Sequence, residues 1–335
     1  MIYIENNSND PYFNLAFEEF CLGSFNGLSG SCVGGDCVYF LLWRTAPSVI
    51  LGKNQDLFQE VDFRYAGVRG INLVRRITGG GAVYHDLGNL NISIIGNYEL
   101  HPDYAEVFGE LVTRALRAVG LKDVVMNGRN DLFVEGRKVS GWAKRIQGNA
   151  FLLHGTLLYD VNLDQLERVL QTEAGKLNRK AVKSVRSVVK NIRDLVPFED
   201  LDGLRMALQK VMRGDDGVIC LNEEQLSVIR RLVEEKYRTD EWIYNLPFHP
   251  TVSKGFQTGC GFIVLNVKVD DGRLAAVQFR GDFLGNRDSE ELCKRMVGAV
   301  WSEAGLAEAL EGVQVSDYFT GLTKGELLDA FVSLL

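Results

Sequence analysis

The sequence has few of the residues that build metal sites and disulfide frameworks. Its 335 residues include only six cysteines and four histidines, and no two cysteines form a CxxC pair. Cysteines at such irregular spacing do not predict a zinc site, and so few histidines make a multi-histidine metal site improbable. Cys32 and Cys37 share an insert rich in glycine and serine, where a disulfide bond or a metal stays open as the less favoured interpretation. We therefore predict a reduced, cytoplasmic protein.

Long apolar runs and an excess of basic residues are also missing. The apolar stretch at residues 37–43 is too short to span a membrane, and the N-terminus lacks the pattern of a secretory signal. The formal net charge of −7 disfavours a protein that coats nucleic acid. We therefore predict neither a membrane nor a nucleic-acid partner. The hydrophobic fraction of 46% is typical of a globular protein, and the length suggests about two domains.

Helix and strand patterns occur together along the chain. Asp10 followed by Pro11 is a typical helix start, and residues 102–119 carry an apolar stripe at helical spacing. Residues 90–95 alternate between apolar and polar side chains, which is typical of a strand. These patterns together predict a mixed α/β fold.

A domain boundary is predicted near residues 245–250, whose composition is that of a linker. The chain after this linker predicts a hairpin followed by two helices. We therefore divide the chain into a catalytic domain at residues 1–245 and a smaller domain at residues 251–335.

The first segment that can carry chemistry is the stretch from Arg75 to His85, which contains three consecutive glycines. Three glycines cost too much backbone entropy inside a helix or strand, but they let a ligand approach the backbone closely. Successive N–H groups there can form an anion-binding nest, and Arg75 and Arg76 offer planar donors for a carboxylate or phosphate. A tight turn with solvated arginines is the alternative. The segment is neither a Walker loop nor a GxGxxG motif.

Three further segments place polar side chains where a ligand could reach them. Lys138 begins a strand directly after a turn, so its ammonium points either into a cleft or to solvent. Asp131 can contact a metal or form an Asx-turn. The string HGT at residues 154–156 interrupts an apolar strand, as a binding site or a buried histidine would. Lys183 and Arg186 lie in a basic stretch that suits phosphate or simply faces solvent.

Together these segments resemble lipoate–protein ligases. The strings that match, in the family's order, are NLAFEE (14–19), WR (43–44), GKNQ (52–55), RRITGGGAVYHDLGNLNIS (75–93), GRND (128–131), GRKVSG (136–141), HGTLL (154–158) and KSVRSVVKN (183–191). The chain from about residue 250 resembles the family's C-terminal accessory domain. The resemblance implies an α+β (mixed α/β) catalytic domain, related to biotin ligases and class II aminoacyl-tRNA synthetases, with a small α+β accessory domain.

The resemblance also implies a reaction and its partners. Such a ligase converts lipoate and ATP, with Mg²⁺, to lipoyl-AMP and pyrophosphate. It then passes the lipoyl group to a lysine of a lipoyl carrier domain, in 2-oxoacid dehydrogenase subunits or the glycine-cleavage carrier protein. We expect a monomer.

The resemblance assigns roles residue by residue, with Lys138 as the catalytic lysine. The implied ATP-binding residues are Arg76, Gly81, Ala82, Val83, Tyr84, Lys138, Lys183 and Arg186. The implied lipoate-binding residues are Arg75, Thr78, Gly79, His85, Lys138, His154 and Thr156. We add Asp131 as a metal contact through the ATP phosphates, and Trp43 and Leu51 as candidates for the apolar tunnel.

Two alternatives stay open. An octanoyl- or lipoyl-transferase of the same superfamily would use a cysteine thiolate and no ATP. In the relatives that use a cysteine, the nucleophile lies close to the catalytic lysine or to the segment that corresponds to residues 141–156. Residues 141–156 of this chain contain no cysteine. A non-catalytic lipoyl-binding relative is disfavoured because Arg76, the glycines and Lys138 are all retained together.

Overall fold

The structure, a computed structural model, describes residues 1–28, 37–127, 131–170, 188–213, 216–246 and 248–335. Cys32, Lys183 and Arg186 lie outside these residues. The chain separates into two compact units. The first consists of Met1–Ile50, Phe58–Val74 and Val83–Ile243, and the second of Leu51–Leu57, Arg75–Ala82 and Tyr244–Leu335.

The first unit contains an eight-stranded sheet, a three-stranded sheet and the longer helices. Its strands are β1 Ile2–Ile4, β2 Tyr39–Trp43, β3 Ser48–Leu51, β4 Asn72–Arg75, β5 Val83–His85, β6 Asn89–Asn97, β7 Val125–Asn127, β8 Asp131–Val134, β9 Arg137–Gln147, β10 Ala150–Leu158 and β11 Val218–Ile219. Its helices are α1 Pro11–Gly23, α2 Leu57–Glu60, α3 Phe63–Arg69, α4 Tyr104–Ala118, α5 Leu163–Val169, α6 Leu201–Arg213, α7 Glu223–Leu232 and α8 Asp240–Tyr244. β3, β4, α2 and α8 each cross a boundary between the units by one residue.

The large sheet has the strand order β11-β1-β2-β6-β10-β9-β8-β7. β1 is parallel to both of its neighbours, and the other pairs are antiparallel. Because side chains alternate across a strand, the sheet presents two different faces. One face packs an apolar core against α4 and α6. β6 contributes Leu90, Ile92 and Ile94 to this core.

The other face of the large sheet packs against α1. This helix begins as predicted, because the Asp10 carboxylate accepts the N–H groups of Tyr12 and Phe13 and Pro11 occupies the first turn. α1 contacts β6 and β10 and buries Glu18 against them. On this face β6 presents polar side chains, so it differs sharply from the apolar core face.

The second unit centres on an antiparallel sheet of three strands, β12 Val252–Thr258, β13 Gly261–Asp270 and β14 Arg273–Gly281. Four helices complete it: α9 Ser289–Met296, α10 Glu303–Ala309, α11 Val315–Tyr318 and α12 Lys324–Val332. The hairpin occurs as predicted, and the last helix begins with a capping box formed by Thr323 and Glu326. The prediction of only two helices after the hairpin is wrong, and β12 was not predicted.

Three expectations from the sequence concern membrane spans, the cysteines and the domain boundary. Within the described residues no helix is long and apolar enough to cross a membrane. Cys37 is disulfide-bonded, which does not agree with a fully reduced chain. The division at residues 1–245 and 251–335 stays a prediction, since the second unit also includes Leu51–Leu57 and Arg75–Ala82.

Candidate active site

One row of side chains crosses the α1-facing side of the large sheet. Asp131 on β8 is paired with Gly141 on β9, and the Gly141 N–H donates to Thr156 Oγ1 on β10 at 3.3 Å. Thr156 is paired with Asn91 on β6, which is paired in turn with Trp43 on β2. Paired residues point to the same face, so the strand register collects these five positions into one row.

Lys138 lies at the β8 end of this row. Its backbone is fixed by two hydrogen bonds of 2.9 Å, from its N–H to the Val188 carbonyl and from the Lys190 N–H to its own carbonyl. Its ammonium contacts the Asp131 carboxylate at 2.9 Å, and the side chain stays 28% exposed. A Cβ at Gly141 would lie 2.8 Å from Lys138 Nζ, so only glycine leaves the ammonium this place over the sheet. The predicted catalytic lysine therefore stands beside Asp131 on the polar face.

A buried polar network forms a second row beside the first. The Glu18 carboxylate, 1% exposed, lies 3.0 and 3.1 Å from Nδ1 of His154. The Ser93 hydroxyl donates to the same carboxylate at 2.5 Å and accepts from Trp43 Nε1 at 2.8 Å. His154 and Ser93 are paired across β10 and β6. The hydrogen bonds thus join α1, β2, β6 and β10 around the predicted acyl pocket.

His85 and Tyr84 follow the triple glycine on β5 and point in different directions. The His85 ring lies 6.5 Å from the Trp43 ring, centroid to centroid, so it belongs to the same region as the buried network. The Tyr84 side chain is buried, and its hydroxyl donates to Gln165 Oε1 at 2.8 Å. Burial and the nearby Asp86 carboxylate raise the Tyr84 pKa. If residue 84 contacts ATP, it does so through its backbone.

The glycine loop itself belongs to the second unit. Arg76 holds this loop, because its guanidinium donates to Thr78 Oγ1 at 3.0 Å and to the carbonyls of Gly79 and Gly81 at 2.7 and 2.9 Å. Gly80 has a positive φ of 91°, which favours glycine, and its N–H donates to the Phe283 carbonyl. Because these two carbonyls point toward Arg76, the planes of their peptide groups are fixed, and with them the directions of the N–H groups in the same peptides.

Arg75 is wholly buried, with 0% exposure. Its Nη1 donates to the carbonyls of Gly52, Lys53 and Gln55, and its Nη2 lies 3.4 Å from the Tyr244 carbonyl. Burial, followed by repulsion from Arg280, lowers the Arg75 pKa. These contacts account for Arg75 within the protein, so its implied contact with lipoate stays a prediction.

The described cysteines do not provide an activated thiol. Burial raises the pKa of Cys21, Cys260 and Cys293, and a hydrogen bond to the Glu5 carboxylate raises that of the exposed Cys220. A raised pKa keeps a thiol protonated at neutral pH, and a protonated thiol is a poor nucleophile. This supports the view that the chemistry does not use a cysteine.

A dedicated metal cage is not found in the part of the chain that the structure describes. No group of three or more histidine, cysteine, aspartate or glutamate side chains there could hold a metal ion. Asp131 offers a single carboxylate, which is already paired with Lys138. A lone carboxylate fits only a cation that substrate phosphates coordinate as well.

The sequence matches two protein families over most of its length. Residues 10–212 match the lipoyl protein ligase A/B catalytic domain, and residues 246–331 match the bacterial lipoate protein ligase C-terminus. The chain belongs to the lipoate–protein ligase family. It is 34% identical to the lipoate-protein ligase LplJ of Bacillus subtilis, over 98% of this chain and 99% of that one.

Solved structures agree with this assignment. The bi-partite lipoate protein ligase of Thermoplasma acidophilum, solved with its E2 lipoyl domain, is 31% identical with a TM-score of 0.62, over 75% of this chain and 98% of that one. A lipoate-protein ligase A bound with ATP is 28% identical with a TM-score of 0.59, over 73% of this chain and 99% of that one. The predicted family, fold class and ligase function are confirmed.

The structure distributes the residues implied for this ligase between its two units. Lys138, Val83, Tyr84, His85, His154, Thr156 and Asp131 lie in the first, and Arg75, Arg76, Thr78, Gly79, Gly81 and Ala82 in the second. Their joint role in one ligand site stays a prediction, as do the roles of Lys183 and Arg186. The sequence did not predict the contact of Glu18 with His154 or the hydrogen bond from Ser93 to Glu18, although Glu18 and Ser93 both lie in strings quoted for the family. The signal available in the sequence was a glutamate placed between the apolar residues Phe17 and Phe20 of a predicted helix.

Proposed function

We propose that this chain activates lipoate with ATP and then lipoylates a carrier lysine. The observation that supports this proposal most strongly is the position of the Lys138 ammonium. It is held over the polar face of the sheet, in a row with Thr156 and Asn91. Two anions must meet for adenylation, and a fixed cation between them lowers the repulsion. Family membership supplies the substrate class. The geometry supports Lys138 as the residue that screens the charges.

The proposed chemistry has two steps. A lipoate carboxylate oxygen attacks the α-phosphorus of ATP, the bond to the β-phosphate oxygen breaks, and pyrophosphate leaves. A neutral carrier lysine amine then attacks the lipoyl carbonyl carbon, the bond to AMP breaks, and the amine loses a proton as the amide forms. Lys138 would contact the phosphate and the acyl oxygen in both steps. Arg76 would act by shaping the glycine loop that receives ATP.

The buried network would shape the acyl pocket. Trp43, His85 and His154 would line it, since Trp43 and His154 stand on the polar face near Thr156 and the His85 ring lies beside that of Trp43. Glu18 would keep the His154 ring in one orientation through Nδ1. Because Nδ1 would donate to the carboxylate, the proton of a neutral His154 ring would be on Nδ1, and Nε2 would be an acceptor.

Mg²⁺ would accompany ATP and be coordinated mainly by its phosphates, with Asp131 as the protein contact. The carrier would be a lipoyl domain of the kind solved with the Thermoplasma ligase. We further propose that the chain acts as a monomer in the cytoplasm, without a nucleic-acid or membrane partner.

The test is mass spectrometry of an apo lipoyl carrier domain after incubation with the chain, lipoate and ATP. We expect the carrier to gain the mass of one lipoyl group, only when ATP and lipoate are both present and only while its acceptor lysine is intact. Transfer from an octanoylated donor protein without ATP would support the transferase alternative instead. Binding of lipoate without any transfer would support the non-catalytic alternative.

A further inference from the structure

β6 buries a row of polar side chains on the α1-facing side of the sheet. Asn89 and Ser93 are fully buried, and Asn91 between them is 3% exposed. The residues that alternate with them, Leu90 and Ile92, belong to the apolar core on the opposite face. A strand that buries three polar residues on one face needs partners for each of them, because unpaired buried polar groups are rare.

The hydrogen bonds within this row leave one side-chain donor, Asn91 Nδ2, without an acceptor. Ser93 is paired with Glu18, and Asn89 Nδ2 donates to Asn91 Oδ1 at 3.2 Å. Among the residues that the structure describes, Asn91 Nδ2 has no hydrogen-bond partner, and the same holds for Asn89 Oδ1. Because Asn89 engages the oxygen of the Asn91 amide, the end of that amide left for a ligand is its N–H₂ group. A ligand at Asn91 must therefore present an acceptor.

The position of Asn91 narrows the chemistry of that acceptor. Asn91 is paired with Thr156 on one side, beyond which lie Gly141 and the Lys138 ammonium. Two strand spacings, about 10 Å, separate Asn91 from Gly141, and side chains at both positions rise from the same face. On its other side Asn91 is paired with Trp43, a large apolar surface. An acceptor between a cation and an indole fits a carboxylate attached to an apolar chain.

We propose that the Asn91 amide donates a hydrogen bond to a carboxylate oxygen of the acyl substrate, opposite the Lys138 ammonium. Asn89 is the positioning residue that orients the Asn91 amide. The proposal rests on the proposed function and adds to it a residue that holds the acid. The Asn91 donor is buried and has no partner among the described residues, so the substrate carboxylate would accept its hydrogen bond.

The test compares two Asn91 variants in lipoate-dependent ATP–pyrophosphate exchange. Asn91→Asp keeps an oxygen for Asn89 to bind but removes the donor and repels an anion. Asn91→Ala removes the amide without adding a charge, and so stays informative if the buried aspartate prevents folding. For both we expect the KM for lipoate to rise about 10- to 100-fold, as loss of a hydrogen bond to a charged group does. The KM for ATP should change by less than about threefold, within the spread expected of a site that is not touched.

Asn97→Ala at the other end of β6 is the matched control, since the Asn97 side chain accepts only from the Glu99 N–H there among the described contacts. It should leave the KM for lipoate unchanged. Folded Asn91 variants with an unchanged KM for lipoate, or with a rise confined to the KM for ATP, would overturn the proposal. Absence of exchange in the wild-type protein would instead overturn the proposed function, and this inference with it.

Discussion

At the scale of single residues, the site depends on where a few side chains are held. Lys138 is fixed by its backbone bonds and by Asp131, while Gly141 leaves the space that its ammonium occupies. Such preorganisation matters because charge repulsion between lipoate and ATP must be overcome at one point. The residues around Lys138 hold its ammonium in position and do not supply the positive charge themselves.

Lys138→Met should therefore lose lipoyl-AMP formation by about 100- to 1,000-fold, since a preorganised charge contact in the transition state disappears. Thermal unfolding should be little changed, because the side chain is partly exposed. The rate is measured by single-turnover adenylate formation. Arg137→Met, one residue earlier and exposed, is the control and should stay active. Near wild-type adenylation by Lys138→Met would remove Lys138 from the mechanism.

A second prediction concerns packing under the same sheet. A Cβ at Gly155 would lie 2.4 Å from the Trp142 ring, so Gly155→Ala should lower the free energy of unfolding by about 1–3 kcal/mol. Gly67 in α3 has open space around it, and Gly67→Ala should be neutral or stabilising by up to about 1 kcal/mol. Chemical denaturation of both variants measures the difference. Equal stability of the two would show that the ring moves freely.

At the scale of elements, the sequence predicted local motifs better than it predicted edge strands and the contacts between elements. The helix start at Asp10, the strand over residues 90–95 and the hairpin after the linker occur as predicted, because each follows from a local sequence pattern. β12 was missed because it is an edge strand without a fully buried residue, so it lacks an apolar pattern. The pairing of His154 with Glu18 was also missed, since strand register and helix packing are not local properties.

Arg75 gives the sharpest prediction at this scale. Its buried guanidinium joins the Gly52–Gln55 turn to the Tyr244 carbonyl by several hydrogen bonds. Arg75→Lys cannot satisfy all of these carbonyls, so we expect about 2–4 kcal/mol of lost stability, as for a broken buried network. The exposed Arg64→Lys should cost less than about 0.5 kcal/mol. Calorimetry tests this, and an Arg75→Lys protein of unchanged stability but weak lipoate binding would favour the implied ligand role.

At the scale of the whole molecule, charge limits how a carrier is recruited. The chain has a net charge of −7, so bulk attraction cannot bring an acidic carrier domain to it. Local basic residues must act instead. The densest group in the sequence, Lys176–Arg193, lies mostly outside the described residues, and its role is a prediction from the sequence.

Reversing Lys176, Arg179 and Lys180 to glutamate should raise the KM for the carrier several-fold, since exposed pairs contribute about 0.2–1 kcal/mol each. Adenylation should be unaffected. Transfer rates measured at low and at raised salt should converge for variant and wild type, because salt screens exposed charges. An identical salt dependence in the two proteins would place carrier docking elsewhere.

The central claim is that this chain activates lipoate with ATP before any carrier takes part. The most direct measurement is the exchange of labelled pyrophosphate into ATP, with lipoate present and no carrier protein. We predict exchange that requires lipoate, saturates with it and persists in a folded variant without cysteines. Exchange that is absent without a carrier, or that disappears when one cysteine of a well-folded protein is replaced, would contradict the account.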